Sequence, residues 1–393
     1  MKRALYIPSL GHEQMDLTVK AYALRMMKAI DENNPDSSKT YRIESSDREY
    51  DSDGSIADVV SLYEKNNGAE EEIYRFYEFK YGNFLTGKFQ ESNILYKFMS
   101  LLFVLITRFL SVTRSIFSFK DEINNKSKIQ ALYFTFIYCL LAVYLVSIIP
   151  ALLGVLAGFA EHVDQLKSFA DTINEYETEY KAVLVSFATF MLLTPNSKTI
   201  FSTMATEYLA ANQYLSVGDR RLFIMGKLSR LIEVVAEEEA DAEIEVHCYS
   251  FGSVLAIDAI FPYESEPSTR IKNNITKLVT IGCPFDFIEI YWTNYFSERK
   301  YSKLSLRTWH NIHSDLDVLS TKFANAPVKQ NKFIGSKEFW GKFENIDIKY
   351  NMVNPQQVSY TQMFLFYGLK AHQMYWDKHV DSKSCLSNIV KTE

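Results

Sequence analysis

The sequence predicts an α/β fold, in which a mostly parallel sheet with helices on both faces is joined to an apolar helical insertion. Short segments with alternating apolar and polar residues predict the strands, and segments with apolar residues at helical spacing lie between them. A long uncharged run at 129–160 predicts the insertion. We therefore divide the chain into an N-terminal part of the main domain (1–91), the insertion (92–212) and a C-terminal part (213–393).

The N-terminal part alternates between strand and helix patterns. Polar turns separate these segments, and one of them is a mostly acidic loop at 47–54. We predict strands at 5–8, 41–43 and 73–81, and helices at 17–30 and 56–63. The alternation of the two patterns favours a largely parallel sheet that is covered on both faces.

The C-terminal part repeats the same alternation. It begins with a helix at 219–239, which places Leu, Met, Ile and Val on one face. A strand at 244–248 follows directly, and further strands are predicted at 276–284 and 304–313. These segments extend the predicted sheet.

Ser250 occupies a turn between the strand at 244–248 and a helix-like run at 254–260. Such a unit holds a serine hydroxyl off the end of a sheet, where a histidine and a substrate carbonyl can both reach it. The neighbours of the serine must be small, because the backbone of the turn is strained. Gly252 meets this need, whereas Cys248 stands two residues before the serine, where a glycine is usual.

This turn resembles the nucleophile elbow of the α/β-hydrolase superfamily, in which serine, acid and histidine follow in that order along the chain. The Gly-Cys-Pro at 282–284 is similar to the Gly-Ser-Pro that closes the next strand in lipase-like hydrolases. Segment 309–313 resembles a Trp-x-Asn-x-Tyr strand of that family, and Asp317-Val318 follows it. Segment 372–376 resembles the family's terminal His-x-x-Tyr-Trp.

The resemblance implies a lipase-like or esterase-like serine hydrolase with the triad Ser250, His372 and Asp317. His372 is expected to take the proton of Ser250 as general base. Asp317 is expected to orient the imidazole and to stabilise its charged form.

The resemblance also implies an oxyanion hole made of backbone N–H groups. The Phe251 N–H at the start of the helix is one expected donor, and the N–H of Ser9 or Leu10 after the first strand is the other. This chemistry needs no metal and no cofactor, so we expect neither.

Other residues are alternatives for two of these roles. Asp315 and Asp286 are alternatives for the acid, and His379 is the alternative for the base. The Tyr and Trp at 375–376 favour His372 over His379. The remaining histidines of this part are expected to support strand ends: His247, His310 and His313.

Composition excludes several classes of protein. The net charge of −6 gives no case for a nucleic-acid partner. The four cysteines have no paired spacing, so we expect neither a disulfide scaffold nor a zinc site, and a reducing compartment fits. The apolar stretch at the N-terminus is too short for a signal peptide.

The run at 129–160 is longer than the roughly 20 apolar residues that suffice to cross a bilayer. We predict a membrane span there and a return span near 182–197. The strands before and after the insertion share one sheet, so both must lie on the same side of the membrane, and a chain that crosses it must cross back. Basic residues before the first span place that side in the cytoplasm. A re-entrant or buried hairpin at 129–160 is the alternative.

Segment 98–119, with Arg108 and Arg114, is predicted as an amphipathic interfacial helix with snorkelling basic side chains.

These inferences predict a membrane-anchored serine hydrolase that cleaves carboxylic esters. Acyl lipids are the first candidates, since an enzyme held at a bilayer meets them at high local concentration. A thioesterase or an acyltransferase would use the same triad. Cys248 also leaves open a different class, a catalytically inactive hydrolase-fold effector or scaffold at the membrane. A third hypothesis is that the insertion oligomerises and perturbs the membrane. The sequence does not predict the oligomeric state.

Overall fold

The computed structural model of the protein describes most of the main domain and parts of the insertion. The described residues are 1–10, 18–34, 38–90, 93–117, 153–154, 157–158, 162, 167–175, 185, 197–216, 218–238, 243–292, 295–296, 299, 304–323, 344–352, 354, 371–376 and 384–391.

One sheet of eight strands forms the centre of the described structure. The strands are β1 (Lys2–Ile7), β2 (Lys39–Glu49), β3 (Ile56–Asn66), β4 (Ala69–Glu78), β5 (Ile244–Tyr249), β6 (Ile275–Ile281), β7 (Thr308–His313) and β8 (Glu344–Lys349). Their order is β2-β3-β4-β1-β5-β6-β7-β8. Neighbouring strands from β4 to β8 are parallel, and the pairs β2–β3 and β3–β4 are antiparallel. The predicted α/β class with a mostly parallel sheet is confirmed.

Helices connect and cover these strands. The described helices are α1 (Val19–Asn33), α2 (Gly82–Gln90), α3 (Ile94–Phe117), α4 (Lys167–Glu175), α5 (Ser197–Ser216), α6 (Asp219–Glu237), α7 (Gly252–Ile260), α8 (Thr269–Asn274), α9 (Phe285–Tyr291) and α10 (Leu386–Lys391). The predicted helices at 17–30 and 219–239 correspond to α1 and α6, with bounds that differ by a few residues.

The alternation of side chains along β1 explains why helices pack on both faces of the sheet. Leu5 and Ile7 are buried in a core that contains residues of α6 and α7. Ala4 and Tyr6 point the other way, into a core with Tyr22 of α1 and residues of α10. Strands that are apolar on both faces are typical of parallel sheets with helices on each side.

The prediction of a helix at 56–63 is wrong, because this segment belongs to β3. Asn67 and Gly68 join β3 to β4 with positive φ values of 49° and 88°. A two-residue Asn-Gly loop with this geometry is the strongest local signal of a hairpin. The β-branched pair Val59 and Val60 also favours a strand.

Several observed element boundaries differ from the predicted ones, because they depend on pairing between strands. The strand predicted at 41–43 extends over all of β2, since each of its residues pairs with β3. The predicted acidic loop at 47–54 therefore begins only after Glu49. Strand β8 was not predicted, and it forms the edge of the sheet beside β7.

The described part of the insertion is helical and packs on the main domain. Helix α3 contacts α5 and α9, and α5 also contacts α2 and α6. Among the residues that the structure describes, no helix combines the length and apolar character needed to cross a bilayer. The predicted spans at 129–160 and 182–197 lie almost wholly outside the described residues.

Helix α3 corresponds to the amphipathic helix predicted at 98–119. Leu101 and Val104 are buried on one side of it. The Arg108 guanidinium lies 5.2 Å from the centre of the Trp292 ring and donates to the Ser216 hydroxyl at 2.8 Å. This arginine therefore holds α3 against the main domain.

Candidate active site

Ser250 follows β5 directly, at the carboxyl end of the parallel strands. Its φ is +54°, a left-handed conformation that is rare for a residue other than glycine. The Ser250 N–H donates to the Ile281 carbonyl at 2.8 Å, which ties the turn to the end of β6. Helix α7 begins two residues later, at Gly252. The predicted strand–turn–helix unit is thus present, with the serine at its strained apex.

Gly252 is required by a close approach between this turn and the loop after β1. A Cβ atom at position 252 would lie 2.4 Å from the Ile7 carbonyl oxygen and 2.5 Å from that of Pro8. Tyr81 holds the same loop, because its hydroxyl donates to the Pro8 carbonyl at 3.0 Å. The loop that carries Ser9 therefore lies directly against the start of α7.

Gly252→Ala is expected to lower the free energy of unfolding by about 3 kcal/mol, because the added methyl group must displace backbone atoms. Gly226→Ala in α6 is the matched control: it meets no atom within 4 Å and should raise stability by about 0.5–1 kcal/mol. Urea denaturation, followed by circular dichroism, measures the free energy of unfolding of both variants. Equal stability of Gly252→Ala and wild type would contradict the close approach.

The structure brings together the three side chains of the predicted triad. The Ser250 hydroxyl lies 2.6 Å from His372 Nε2, and His372 Nδ1 lies 2.8 Å from Asp317 Oδ2. The three residues come from different segments, 250, 317 and 372, which the parallel strands bring to one edge of the sheet. Asp317 is 0% exposed and His372 is 9% exposed. The histidine thus joins a half-buried serine hydroxyl to a fully buried carboxylate.

The Asp317 carboxylate is held in place on both of its oxygens. Oδ1 accepts the Leu319 N–H at 2.9 Å, and Oδ2 accepts the Tyr375 hydroxyl at 2.7 Å in addition to His372. Burial, followed by the nearby carboxylate, raises the pKa of Tyr375 well above its usual range, so this tyrosine stays a donor. Sequence reasoning used Tyr375 only as context for His372 and missed this contact.

Gly282, after β6, allows these groups to meet. Its φ is +61°. A Cβ atom there would lie 3.0 Å from Tyr375 Cε2, 3.1 Å from His372 Cε1 and 3.4 Å from Asp317 Oδ2. A larger residue would therefore press on the imidazole and on the residues that orient it.

Tyr249 positions His372 from its other side. The two rings stack with centres 5.6 Å apart, and the Tyr249 hydroxyl donates to the His372 carbonyl at 2.5 Å. Since Tyr249 immediately precedes the nucleophile, one short segment of chain fixes both the hydroxyl and the imidazole.

Cys248 does not disturb the turn. Its side chain is fully buried in the core that contains α7, and its thiol donates to the Val279 carbonyl at 3.1 Å. Burial raises the pKa of Cys248 to about 12, so the thiol stays neutral. The cysteine therefore acts as a small core residue two positions before Ser250.

The rival candidates lie elsewhere or are outside the described residues. Asp315 forms an ion pair with Lys349. Asp286 begins α9, where its N–H donates to the Thr321 hydroxyl at 2.8 Å. His379 lies outside the described residues.

The three histidines expected to support strand ends are buried in or at the end of their strands: His247, His310 and His313. His247 bonds to the Tyr22 hydroxyl at 2.6 Å and to the Glu245 carboxylate at 2.8 Å. His313 lies 3.2 Å from the Asp347 carboxylate. His247 and His313 thus each have a carboxylate partner outside the predicted triad.

The predicted oxyanion donors lie at the turn and in the adjoining loop. Phe251 caps the start of α7, and Ser9 and Leu10 are half-buried in the loop that touches Gly252. None of the backbone hydrogen bonds found among the described residues uses the N–H of Phe251, Ser9 or Leu10. These positions are compatible with the predicted donors.

Helix α5 of the insertion covers this turn. The Tyr214 ring lies 5.6 Å from the Phe251 ring, edge to face, and the Tyr214 hydroxyl donates to Asp258 of α7 at 2.8 Å. Asp258 also pairs with Arg299 at 2.7 Å and with Arg221 at 3.1 Å. A buried charged network thus fixes the insertion helix over the candidate nucleophile.

No model of a known protein family, no curated protein and no solved structure matches this chain. Within the described ranges, no group of three or more His, Cys, Asp or Glu side chains is arranged to hold a metal ion. The chemistry of the site is therefore inferred from its own geometry.

Proposed function

We propose that the protein is a serine hydrolase that cleaves carboxylic esters through an acyl-enzyme. The observation that carries this proposal is the chain of contacts from Ser250 through His372 to Asp317, with distances of 2.6 Å and 2.8 Å. A hydroxyl in contact with an imidazole, which in turn contacts a buried carboxylate, is the arrangement that activates serine as a nucleophile.

In the first step, Ser250 Oγ attacks the ester carbonyl carbon and its proton passes to His372 Nε2. Asp317 stabilises the imidazolium that forms. The carbonyl oxygen becomes an oxyanion, for which the N–H groups of Phe251 and of Ser9 or Leu10 are the candidate donors. The intermediate then collapses: the bond to the alcohol oxygen breaks, His372 returns the proton to that oxygen, and the acyl group stays on Ser250.

In the second step, water attacks the acyl carbon and gives its proton to His372 Nε2. Collapse of this intermediate breaks the bond to Ser250 Oγ, which recovers the proton from His372. The products are a carboxylic acid and the free serine. The same acyl-enzyme would serve a thioesterase, or an acyltransferase if an alcohol replaced water.

The α/β-hydrolase superfamily is our proposal for the fold family. It is supported by the order of Ser250, Asp317 and His372 along the chain and by the position of the turn at the carboxyl end of β5.

The proposed substrates are acyl lipids, and the proposed location is a membrane with the hydrolase domain on the cytoplasmic side. Helix α3 supports a lipid partner, because large apolar side chains are exposed along it: Tyr96, Met99, Phe103, Ile106 and Phe109. Their spacing of three and four residues places them on one face of the helix. An apolar face of this kind is typical of helices that lie in a membrane interface.

Phe103→Asp is expected to weaken binding to vesicles of neutral phospholipid by about tenfold or more, since burial of a phenylalanine side chain contributes about 1.5–3 kcal/mol. Phe103 is 69% exposed, so the fold should tolerate the change. Tyr263→Asp, which replaces another exposed aromatic residue outside α3, is the matched control. Vesicle flotation measures the binding of both variants to the vesicles. Equal binding by Phe103→Asp and wild type would contradict a role of α3 at the membrane.

A fluorophosphonate probe tests the proposed enzyme directly. The probe should form a covalent adduct, and mass spectrometry should place it on the peptide that contains Ser250. Folded protein that neither reacts with the probe nor hydrolyses short-chain esters would favour the inactive effector or scaffold.

A further inference from the structure

Glu207 is a carboxylate at the candidate active site that the proposed triad does not use. It is the only acidic residue of α5. It lies seven residues before Tyr214, nearly two helical turns away and on the same face of the helix. Because the Tyr214 ring packs against Phe251, this face of α5 is turned toward the nucleophile.

The surroundings of Glu207 agree with this placement. Glu207 interacts electrostatically with His372, and its charge also acts on Tyr81 and Tyr249. Tyr81 lies beside Phe251, with ring centres 6.5 Å apart, and Tyr249 stacks on His372. These neighbours thus lie beside the two residues Phe251 and His372 that flank the Ser250 hydroxyl.

Glu207 has no fixed positive partner in the described part of the chain, where no Lys or Arg forms an ion pair with it. Burial raises the pKa of Glu207 to about 7, against a smaller opposing effect of His372. Above neutral pH Glu207 therefore carries a negative charge in a partly buried position. A carboxylate in this setting is stabilised by any cation that can reach it.

The side of the site on which Glu207 acts follows from the proposed mechanism. His372 returns its proton to the alcohol oxygen, so the alcohol part of the ester lies beside His372. Glu207 acts on the same imidazole, and a positive group attached to the alcohol would therefore come close to it.

We propose that Glu207 is a specificity-determining residue that selects esters whose alcohol part carries an ammonium group. This inference rests on the proposed ester hydrolysis and adds a substrate class to it. The ammonium group contributes to binding through Glu207, and the triad carries out the same two steps on cationic and neutral esters.

Two substrates of nearly the same shape test the inference: a choline ester and the 3,3-dimethylbutyl ester of the same acid, which differ in the charge of the alcohol part. At pH 8 the wild-type kcat/KM should favour the choline ester by about tenfold, the size expected for one charge pair partly screened by water. Glu207→Gln should reduce this ratio to about one, with a larger fall in kcat/KM for the choline ester than for the neutral ester.

Glu207→Lys is a second variant and should reverse the preference in favour of the neutral ester. Glu233→Gln is the matched control, because it removes an acidic group that pairs with Arg230 on α6, and it should keep the wild-type ratio. Activity on the neutral ester reports whether each variant is folded.

The outcomes separate this inference from the proposed function. Wild-type protein that hydrolyses both esters with a ratio near one, or Glu207→Gln protein that keeps the preference, would overturn the role of Glu207 alone. An equal loss of activity on both esters in Glu207→Gln would also overturn it, since that result indicates a structural role. Folded wild-type protein that hydrolyses neither ester and does not react with fluorophosphonate would overturn the proposed hydrolase itself.

Discussion

Ser250→Ala is expected to lower kcat/KM for ester hydrolysis by about 10⁶-fold, because removal of the attacking oxygen eliminates the acyl-enzyme route. The hydroxyl lies 2.6 Å from His372 Nε2, and no other group at the turn occupies that position. The measurement is the hydrolysis of a short-chain chromogenic ester by purified variant and wild type. Fluorophosphonate labelling should disappear in the same variant.

Ser253→Ala is the matched control for this experiment. Ser253 is a buried serine three residues further along, in the first turn of α7. Its removal deletes a hydroxyl of the same chemistry close to the site and should leave both turnover and labelling nearly unchanged. Full activity in Ser250→Ala, or loss of labelling in Ser253→Ala alone, would contradict the assignment of the nucleophile.

Asp317→Asn is expected to lower kcat by about 10⁴-fold, the loss typical when the acid of such a triad becomes an amide. The amide can present its NH₂ group to His372 Nδ1 and so favour the tautomer that cannot accept the Ser250 proton. The KM for the ester should change little, since Asp317 is fully buried behind the histidine. Steady-state kinetics over several ester concentrations measures the effect.

Asp315→Asn is the control that distinguishes the two candidate acids. Asp315 lies two residues earlier and pairs with Lys349. An ion pair with an exposed lysine contributes about 0–1 kcal/mol to stability, and its loss should leave kcat within about twofold of wild type. A large loss of kcat in Asp315→Asn, with normal activity in Asp317→Asn, would move the acid to position 315.

Much of the sheet could be predicted from the sequence, because its signals are local. The strand β5 and the helix α6 are visible as periods of two and 3.6 residues. A local signal also opposes the helix predicted at 56–63, because the Asn-Gly at 67–68 is typical of a hairpin and favours strands on both sides of it. By contrast, the length of β2 and the presence of β8 depend on pairing with neighbours that are distant in sequence.

For the site, the motif order along the chain predicted which residues belong together. The resemblance ranked Asp317 above Asp315 and His372 above His379. The distance between Ser250 and His372 could not be derived in this way, since 122 residues separate them. The sequence does not decide whether Cys248 fits beside the turn at Ser250. The tertiary structure decides it, because the Cys248 side chain lies in the core.

The sequence by itself determined the class of fold and the turn at Ser250, because periodicity and turn chemistry are properties of neighbouring residues. The three side chains proposed for catalysis came from the resemblance to the α/β-hydrolase superfamily. Only the tertiary structure decided that Gly282 leaves room for the imidazole, that Tyr375 orients Asp317 and that Tyr214 of α5 packs against Phe251. These contacts join segments far apart in the chain, and packing between helices and strands, which no local pattern encodes, brings them together.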